Sequence, residues 1–383
     1  SVVVVPGFRL RVKLRRTTIA LAEVVSRTSG PGVTICAMRK LLTLVALLVA
    51  TTSTMSAEWN PEAAARYLDS RQKEWFSWKP AMSADGPCVS CHTGMTYLLA
   101  RPALRRRLKE SQPTMYEVGL LDRLRAKVGE KPPGALQSVE AIFSAMFLSR
   151  DDALFSSRAD AVQPMSAHTQ KAFDQLWTLQ GSAGASKGGW RWYAVNLDPW
   201  ENAESHFYGS SLAAVALTQA PAEYRNTPKV REQAAVLNAY LMDSIESRRL
   251  HDRLALLLAR SFITDSLRQS ITVDAFNKQQ PDGAWTIESL GPWMAHADAP
   301  PSSGSNAYAT PFTAFALLRG GVAASDPRLA KALTWLQSHQ DAATGAWAAV
   351  SMNKRYPDGS MESRFMQDAA TAFASLALIE AER

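Results

Sequence analysis

Apolar residues recur at intervals of three and four along most of the chain, the period that predicts amphipathic or buried helices. The clearest segments of this kind are 97–109, 115–128, 135–149 and 229–259. No stretch alternates apolar and polar residues as a half-buried strand would. The pattern therefore predicts an all-α fold built from antiparallel helix hairpins, about five to seven of them on the repeat spacing described next.

Three further segments are helical and rich in small residues: FYGSSLAAVAL (207–217), AYATPFTAFAL (307–317) and QDAATAFASLAL (367–378). They align on their small residues, with displacements of 100 and 61 residues. Small residues on one helix face permit close helix–helix approach, and related displacements indicate a repeated structural unit. We expect a helix pair to recur about every 50 to 60 residues.

A turn with glutamine, glycine and tryptophan precedes each of these segments. The best copy is KALTWLQSHQDAATGAW, residues 331–347. The three clear copies contain Gln180, Gly188 and Trp190, then Gln280, Gly283 and Trp285, then Gln340, Gly345 and Trp347; a degraded copy contains Gln72, Trp75 and Trp78. Tryptophans at equal positions of a repeat are expected to be buried packing residues and not substrate contacts.

These turns resemble the QW repeats of the squalene–hopene cyclases and their relatives, over roughly residues 60–383. The resemblance implies an α/α-toroid, in which helix hairpins form a ring around a central cavity. It also implies that Gln180, Gln280 and Gln340 cap neighbouring helix ends and stack on the tryptophans. These glutamines are therefore expected to be structural and not catalytic.

The sequence lacks the catalytic residues that the resemblance would imply. Cyclases of this class use an Asp-x-Asp-Asp acid, and Asp151-Asp152 lacks the preceding aspartate. The toroidal protein prenyltransferases bind zinc through an aspartate, a cysteine and a histidine, but the cysteines here belong to another motif. The chain also has room for one helical domain, where squalene cyclases use two. Cyclisation is not expected, unless Asp198, Glu201 or Glu204 in LDPWENAESHF supplies the acid.

The net charge of +7 is confined to one end of the chain. Residues 1–57 hold eight Lys/Arg and one acid, 8 − 1 = +7, and the remainder balances at 34 basic against 34 acidic residues. This distribution argues against nucleic-acid binding.

The chain is predicted to consist of three parts. Residues 1–37 are interpreted as a non-native or disordered upstream extension, with a transit-peptide-like extension as the alternative. Residues 38–57 are interpreted as an export signal: Met38-Arg39-Lys40, the apolar run LLTLVALLVA and a small-residue stretch. The apolar run is shorter than the roughly 20 residues of a membrane span, so no transmembrane segment is expected after signal removal. Residues 58–383 are expected to form one toroidal domain in a periplasmic or otherwise exported protein.

The stretch GPCVSCHTG contains Cys88, Cys91 and His92 in the spacing Cys-x-x-Cys-His, which attaches haem c. Cys88 and Cys91 would form thioethers to one covalent haem, and His92 would be the proximal axial ligand of its iron. The attachment loop is expected at about 79–95. Two alternatives stay open: a Cys88–Cys91 disulfide, or part of a zinc site, which would need two more ligands.

The ligand on the other side of the iron is predicted less sharply. His206 and Met82 are the first candidates, and His168, His296 and Met95 could also approach. His251 and His339 are expected to face solvent. The basic cluster Arg101, Arg105, Arg106, Arg107 and Lys109 is expected to form a solvated helix face, or else to contact haem propionates or an acidic redox partner.

Three functions remain open. The first is an exported c-type haem protein that transfers electrons to a partner protein. The second is an enzyme, haem-dependent or cyclase-like, that acts on an apolar isoprenoid in the central cavity. The third is a non-catalytic lipid-binding toroid with a Cys88–Cys91 disulfide. Covalent haem would separate the first two from the third, and an open iron coordination site would favour the second over the first.

Overall fold

The structure is a computed structural model that describes residues 58–83, 86–129, 136–156 and 165–383, together with two short strands near the start of the chain. Thirteen α-helices lie in these ranges. They are α1 Pro61–Trp75, α2 Gly94–Arg107, α3 Met115–Lys127, α4 Leu136–Ser156, α5 Ala167–Thr178, α6 His206–Gln219, α7 Ala222–Arg225, α8 Pro228–Ser244, α9 Leu250–Leu257, α10 Asp265–Asn277, α11 Ala309–Gly320, α12 Pro327–Ser338 and α13 Phe365–Ala381.

The strands are few and short. β1 Val3–Val5 pairs antiparallel with β2 Phe8–Leu10, and β3 Met82–Ser83 pairs antiparallel with β4 Gly86–Pro87. Contacts divide the chain into two units, Ser1–Ser56, which holds β1 and β2, and Ala57–Arg383, which holds the thirteen helices given above. The all-α prediction is confirmed for the described residues, whereas the proposed export signal at 38–57 lies outside them. No helix of the described ranges is long and apolar enough to cross a membrane.

Six helices form a connected inner set. α2 contacts α13, α13 contacts α11, α11 contacts α9, α9 contacts α6, and α6 contacts α4. Between α4 and α2, the Arg150 guanidinium donates to the carbonyls of Leu98 and Leu99. α6 shows why these helices lie inside: every residue from Phe207 to Leu217 is buried, and a helix that is apolar or small all round must be covered on all sides.

Outer helices cover the inner ones. α1 packs on α2, α3 and α5 on α4, α8 on α6, α10 on α9, and α12 on α11. The outer helices α5 and α12 are amphipathic, with buried residues such as Phe173 and Leu329 on one face and charged residues on the other. Ser166 caps the start of α5, and Asp326 caps the start of α12.

The three tryptophans of the clear turns occupy equivalent buried positions. Trp190, Trp285 and Trp347 have no exposed surface. Their indole N–H groups donate back to the carbonyls of Leu176, Ala275 and Leu336, at 2.8, 2.6 and 2.8 Å. Their backbone N–H groups donate forward to the hydroxyls of Ser210, Thr310 and Thr371, at 3.1, 3.0 and 3.2 Å. Each tryptophan therefore joins an outer helix to the inner helix that follows it.

The glutamines of the turns bridge neighbouring hairpins, with one correction to the sequence prediction. Gln180 donates to the Gly188 carbonyl of its own turn and to Gln233 on the next outer helix. In the second turn this role belongs to Gln279, which donates to Gly283 and Arg328; Gln280 donates only within its own loop, to Lys278. The prediction was wrong by one residue because two glutamines are adjacent here, and because the loop that leads to Gly283 is shorter than the loops of the other two clear turns.

The third clear turn joins the two ends of the helical unit. Gln340 donates to the Gly345 carbonyl at 2.9 Å and to the Asn60 carbonyl at 2.9 Å, and it accepts from the Asn60 N–H at 2.6 Å. Asn60 is the N-cap of α1. The degraded first copy differs, because Gln72 lies inside α1 and donates to the Thr93 carbonyl.

Candidate functional site

The Cys-x-x-Cys-His motif lies in the segment between α1 and α2 and leads directly into α2. Ser90 fixes the start of that helix, because its hydroxyl oxygen accepts from the N–H groups of Thr93 and Gly94, both at 3.1 Å. Trp75, the last residue of α1, donates its indole N–H to the Cys88 carbonyl at 2.9 Å. Hydrogen bonds between side chains and the backbone therefore hold the motif at both of its ends.

Both cysteines are free thiols, Cys88 half-buried and Cys91 buried. Burial raises the pKa of Cys88 to about 11. Burial, and after it the negative charge of Glu201, raises the pKa of Cys91 well above its ordinary value. Both side chains are therefore thiols and not thiolates at neutral pH in this fold.

His92 is enclosed by aromatic rings. It stacks on Phe365, the first residue of α13, with ring centroids 3.6 Å apart, and it meets the edge of Trp75 at 5.5 Å. The Trp200 ring lies 6.3 Å away. Burial, together with the positive charge of Arg71, lowers the pKa of His92 to about 3. His92 is therefore a neutral imidazole at neutral pH, the form that ligates metals.

Hydrogen bonds orient the imidazole. The Thr93 hydroxyl donates to Oδ2 of Asp368 at 2.8 Å, so its proton is already used. It therefore accepts from Nδ1–H of His92, at 2.9 Å. The Ser90 hydroxyl is a more distant neighbour of Nδ1, at 3.4 Å. In this tautomer Nε2 of His92 carries the free lone pair, as an iron-ligating histidine requires.

Asp368 is in turn fixed by a buried ion pair. Nε of Arg71 donates to Oδ1 at 2.7 Å and a terminal guanidinium nitrogen donates to Oδ2 at 3.1 Å. The Tyr67 hydroxyl also donates to Oδ1, at 2.9 Å. Burial alone would lower the pKa of Arg71, but the charge and hydrogen bonds of Asp368 outweigh burial and raise it. The sequence did not indicate Arg71 or Asp368, which are 297 residues apart.

A cavity of about 110 Å³ adjoins His92. Its walls include Trp200, Glu201, Tyr356, Phe365 and Met366. Burial raises the pKa of Glu201. Burial therefore favours the protonated form of the Glu201 carboxyl group at this cavity.

The other two acids of the LDPWENAESHF segment have structural partners. Asp198 accepts from the Arg249 guanidinium at 2.9 Å and from the Met294 N–H at 2.8 Å, so its carboxylate is occupied. Glu204 is exposed and pairs with Arg248 at 2.8 Å. Neither is arranged as a proton donor to the cavity.

The two predicted ligands for the other side of the iron lie elsewhere. His206, at the start of α6, accepts through Nδ1 from the Trp192 N–H at 2.9 Å and does not line the cavity. Met82 lies in β3 and is exposed. The structure instead brings Met366, a buried residue of α13, to the cavity that His92 lines. Only packing reveals this methionine, since nothing in its sequence surroundings distinguishes it.

His251 is a correction to the sequence prediction. It was expected to face solvent, beside two arginines, but it has no exposed surface. Nδ1 of His251 lies 2.9 Å from the Asp252 carboxylate, and Nε2 lies 2.9 Å from the Tyr308 hydroxyl. His339 is exposed, as expected.

The basic cluster on α2 is a second correction, because its members face different environments. Arg101 is buried and binds Asp69 at 2.9 Å, and Arg105 is buried and lies 3.3 Å from Glu117. Arg106, Arg107 and Lys109 are exposed. The five residues therefore do not form one solvated face, and Arg101 and Arg105 already have acidic partners within the fold.

No family model matches the chain, and no curated protein matches it. The resemblance to the QW-repeat cyclases therefore rests on the turns themselves and stays a prediction. Among the described residues, no group of three or more His, Cys, Asp or Glu side chains is placed to hold a metal ion.

The donor set nevertheless fits haem c. Two thiols stand three residues apart, and the next residue is a neutral imidazole whose Nδ1 is bonded and whose Nε2 is free to ligate. The cavity beside His92 is smaller than the roughly 300 Å³ at which cofactor pockets begin. Because Phe365 covers the imidazole and Cys91 is buried, haem at this motif would require Phe365 and its neighbours to pack differently from the arrangement in this structure.

Proposed function

We propose that this chain is an exported c-type haem protein whose helical unit is an α/α-toroid, and that its role is electron transfer with a partner protein. The observation that carries the proposal is the Cys88-x-x-Cys91-His92 motif with an imidazole held neutral and oriented for ligation through Nε2. Bound at this motif, haem c would supply a one-electron couple between ferric and ferrous iron.

The order of helix contacts supports the toroid. The inner helices meet in the sequence α2, α13, α11, α9, α6 and α4, and Arg150 joins α4 to α2. The outer layer is joined from α12 back to α1 by Gln340 and Asn60. Both layers therefore have contacts that lead back to their starting helix, as a ring requires.

The chain's own residues would set the properties of the haem. Cys88 and Cys91 would hold it covalently, and His92 would ligate its iron. Thr93 would make the imidazole a stronger electron donor by accepting a hydrogen bond from its Nδ1–H, while Asp368 accepts from the Thr93 hydroxyl and holds it in place. Trp75 and Trp200 would exclude water from the ligated side.

The enzyme alternative has one specific observation in its favour, which is Glu201. A carboxyl group with a raised pKa at a cavity with aromatic walls could donate a proton to a bound molecule. The 110 Å³ beside it would admit only a small substrate, and an isoprenoid would not fit in this packing.

The test is maturation of the exported protein in a host that attaches haem c, followed by denaturing electrophoresis and by absorption spectra of the oxidised, reduced and CO-treated protein. We expect haem that stays bound on denaturation and a reduced spectrum unaffected by CO. A chain without covalent haem would contradict the proposal and leave the lipid-binding alternative. A CO-induced spectral change would contradict simple electron transfer and favour the enzyme.

Matched variants assign the roles. Cys88→Ser with Cys91→Ser should abolish covalent haem, since no thioether can form. His92→Ala should keep the haem but lose the spectrum of a ligated proximal imidazole. His339→Ala, an exposed histidine far along the chain, should match the wild type in both measurements.

Thr93→Val should raise the reduction potential. Valine has nearly the shape of threonine but cannot accept from His92 Nδ1, so the imidazole would donate less electron density to ferric iron. If the preference of the imidazole for ferric over ferrous iron falls about tenfold from its wild-type value, the reduction potential rises by about 60 mV. Potentiometric titration measures the change. Thr334→Val, an exposed position of α12, is the control, and an unchanged potential in Thr93→Val would contradict the assigned role.

A further inference from the structure

A second and larger cavity lies at the other end of the inner helices. It has a volume of about 380 Å³, within the range of small-molecule sites. All six inner helices or the residues that directly follow them contribute apolar side chains to it: Ala103, Leu154, Val215, Leu258, Phe315 and Leu376. The haem motif adjoins the first residues of α2 and α13, whereas this cavity is lined by their later turns.

Positive charge surrounds this apolar cavity. Its lining contains four arginines and one carboxylate: Arg106, Arg150, Arg319, Arg383 and Glu380. Glu380 lies 3.3 Å from Arg319 and 2.7 Å from Arg383, so one carboxylate is shared between two exposed guanidinium groups. The side chains that line the cavity therefore carry more positive than negative charge.

Arg150 is hydrogen-bonded to neutral groups of the cavity wall. Its guanidinium donates to two neutral carbonyls, Leu99 at 2.9 Å and Leu98 at 3.4 Å. Burial, and after it the like charges of Arg106, Arg319 and Arg383, lowers the pKa of Arg150 to about 10. A partly buried cation that is held by carbonyls and repelled by its neighbours would be stabilised by a bound anion.

Helix-dipole compensation accounts for only part of this pattern. Arg106 and Arg319 lie in the last turns of α2 and α11, where a cation is favourable without any ligand. Arg150 lies six residues before the end of α4, beyond the range of that effect. The carbonyls of Leu98 and Leu99 hold its guanidinium in place, but they are neutral and do not balance its charge.

We propose that this cavity binds a single-chain lipid with an anionic head, a carboxylate or a phosphate. The hydrocarbon chain would lie among the apolar residues of the inner helices, and the head would bind the guanidinium of Arg150 with support from Arg319 and Arg383. A ligand that is apolar throughout, such as a hydrocarbon isoprenoid, would add no negative charge beside the guanidinium groups of Arg150, Arg319 and Arg383. The proposal is independent of haem at the Cys-x-x-Cys-His motif.

The test is calorimetric titration of the whole exported protein with four amphiphiles of equal chain length, each below its micelle concentration: dodecanoate, dodecyl phosphate, dodecyl maltoside and dodecyltrimethylammonium. We expect at least one of the two anions to bind, at least tenfold more tightly than the uncharged and cationic amphiphiles, with the difference decreasing as salt increases. Which anion binds more tightly assigns the head group. Equal binding of the maltoside, or binding of no anion, would overturn the proposal.

Variants locate the head group. Arg150→Met keeps an unbranched apolar stem but removes the guanidinium, and it should weaken anion binding at least tenfold, while Arg107→Met, on α2 but outside the cavity, should not change it. Arg319→Gln removes an exposed charge without disturbing the Arg150 bonds and should weaken binding about threefold. If Arg150→Met is too unstable to titrate, Arg319→Gln decides the outcome. Anion binding unchanged in Arg319→Gln would then overturn the assignment.

Discussion

Replacing Asp368 by alanine is expected to lower the free energy of unfolding by about 3–5 kcal/mol, the usual cost of breaking a buried ion pair from one side. Arg71 and Asp368 are each 1% exposed and share two hydrogen bonds. Alanine would leave the Arg71 guanidinium buried with only the Met361 carbonyl and Glu74 as partners. The Tyr67 hydroxyl would lose its acceptor as well. Urea denaturation of the variant and the wild type, followed by circular dichroism, measures the difference.

Glu74 provides the matched control, because it is also a partner of Arg71, at 2.5 Å, but is 42% exposed. Glu74→Ala should cost no more than about 1 kcal/mol, as exposed ion pairs do. Removing both buried charges, with Arg71→Met and Asp368→Leu together, should recover much of the loss, since no unpaired charge then remains. A cost for Asp368→Ala as small as that of Glu74→Ala would show that Arg71 finds another partner.

The helices could be predicted because their signals are local. Spacing of three and four residues identified α2, α3 and α4, and the aligned small residues identified α6, α11 and α13 as buried helices. The tryptophan turns repeat in sequence and in hydrogen bonding alike. Gln279 was missed in favour of Gln280 because the two are adjacent in the sequence, and only the fold shows which side chain reaches the Gly283 and Arg328 carbonyls.

The buried polar residues could not be predicted, because their partners are distant in sequence. His251 follows two arginines closely and Arg101 is the first residue of a basic cluster, and such residues are usually exposed. His251 is buried because Tyr308 supplies a partner from 57 residues away, and Arg101 because Asp69 approaches from α1. A single sequence gives the charge of each residue but not which opposite charge or hydroxyl the packing brings to it.

The candidate site likewise has residues that the sequence predicts and residues that only the fold reveals. Cys88, Cys91 and His92 were evident from their spacing alone. Phe365, Met366 and Asp368, which cover or orient the histidine, come from the last helix of the chain, and Glu201 comes from a loop between α5 and α6. Only the packing of α13 against α2 brings them to the motif. The motif thus indicates the chemistry, while the fold determines how the imidazole is held.

Gly345→Ala is expected to lower the free energy of unfolding by about 2–5 kcal/mol. Two effects combine. Gly345 has φ +78, and a left-handed backbone costs alanine about 1–2 kcal/mol. A Cβ there would also lie 2.5 Å from the Ala63 carbonyl oxygen and 2.6 Å from the Ala63 Cβ, so α1 would have to move, at about 1–3 kcal/mol for overpacking.

Gly359→Ala separates these effects, because Gly359 has almost the same φ, +75, but open space where a Cβ would lie. Gly359→Ala should lower the free energy of unfolding only by the cost of a left-handed backbone, about 1–2 kcal/mol. Urea denaturation of both variants measures the two losses. The remaining difference measures how firmly the last turn is packed against α1. Gly345 adjoins the hydrogen bonds of Gln340 with Asn60, which join the end of the helical unit to its beginning. Equal losses in the two variants would mean that α1 moves without cost, and that the contact between the first and last hairpins does not hold the proposed ring closed.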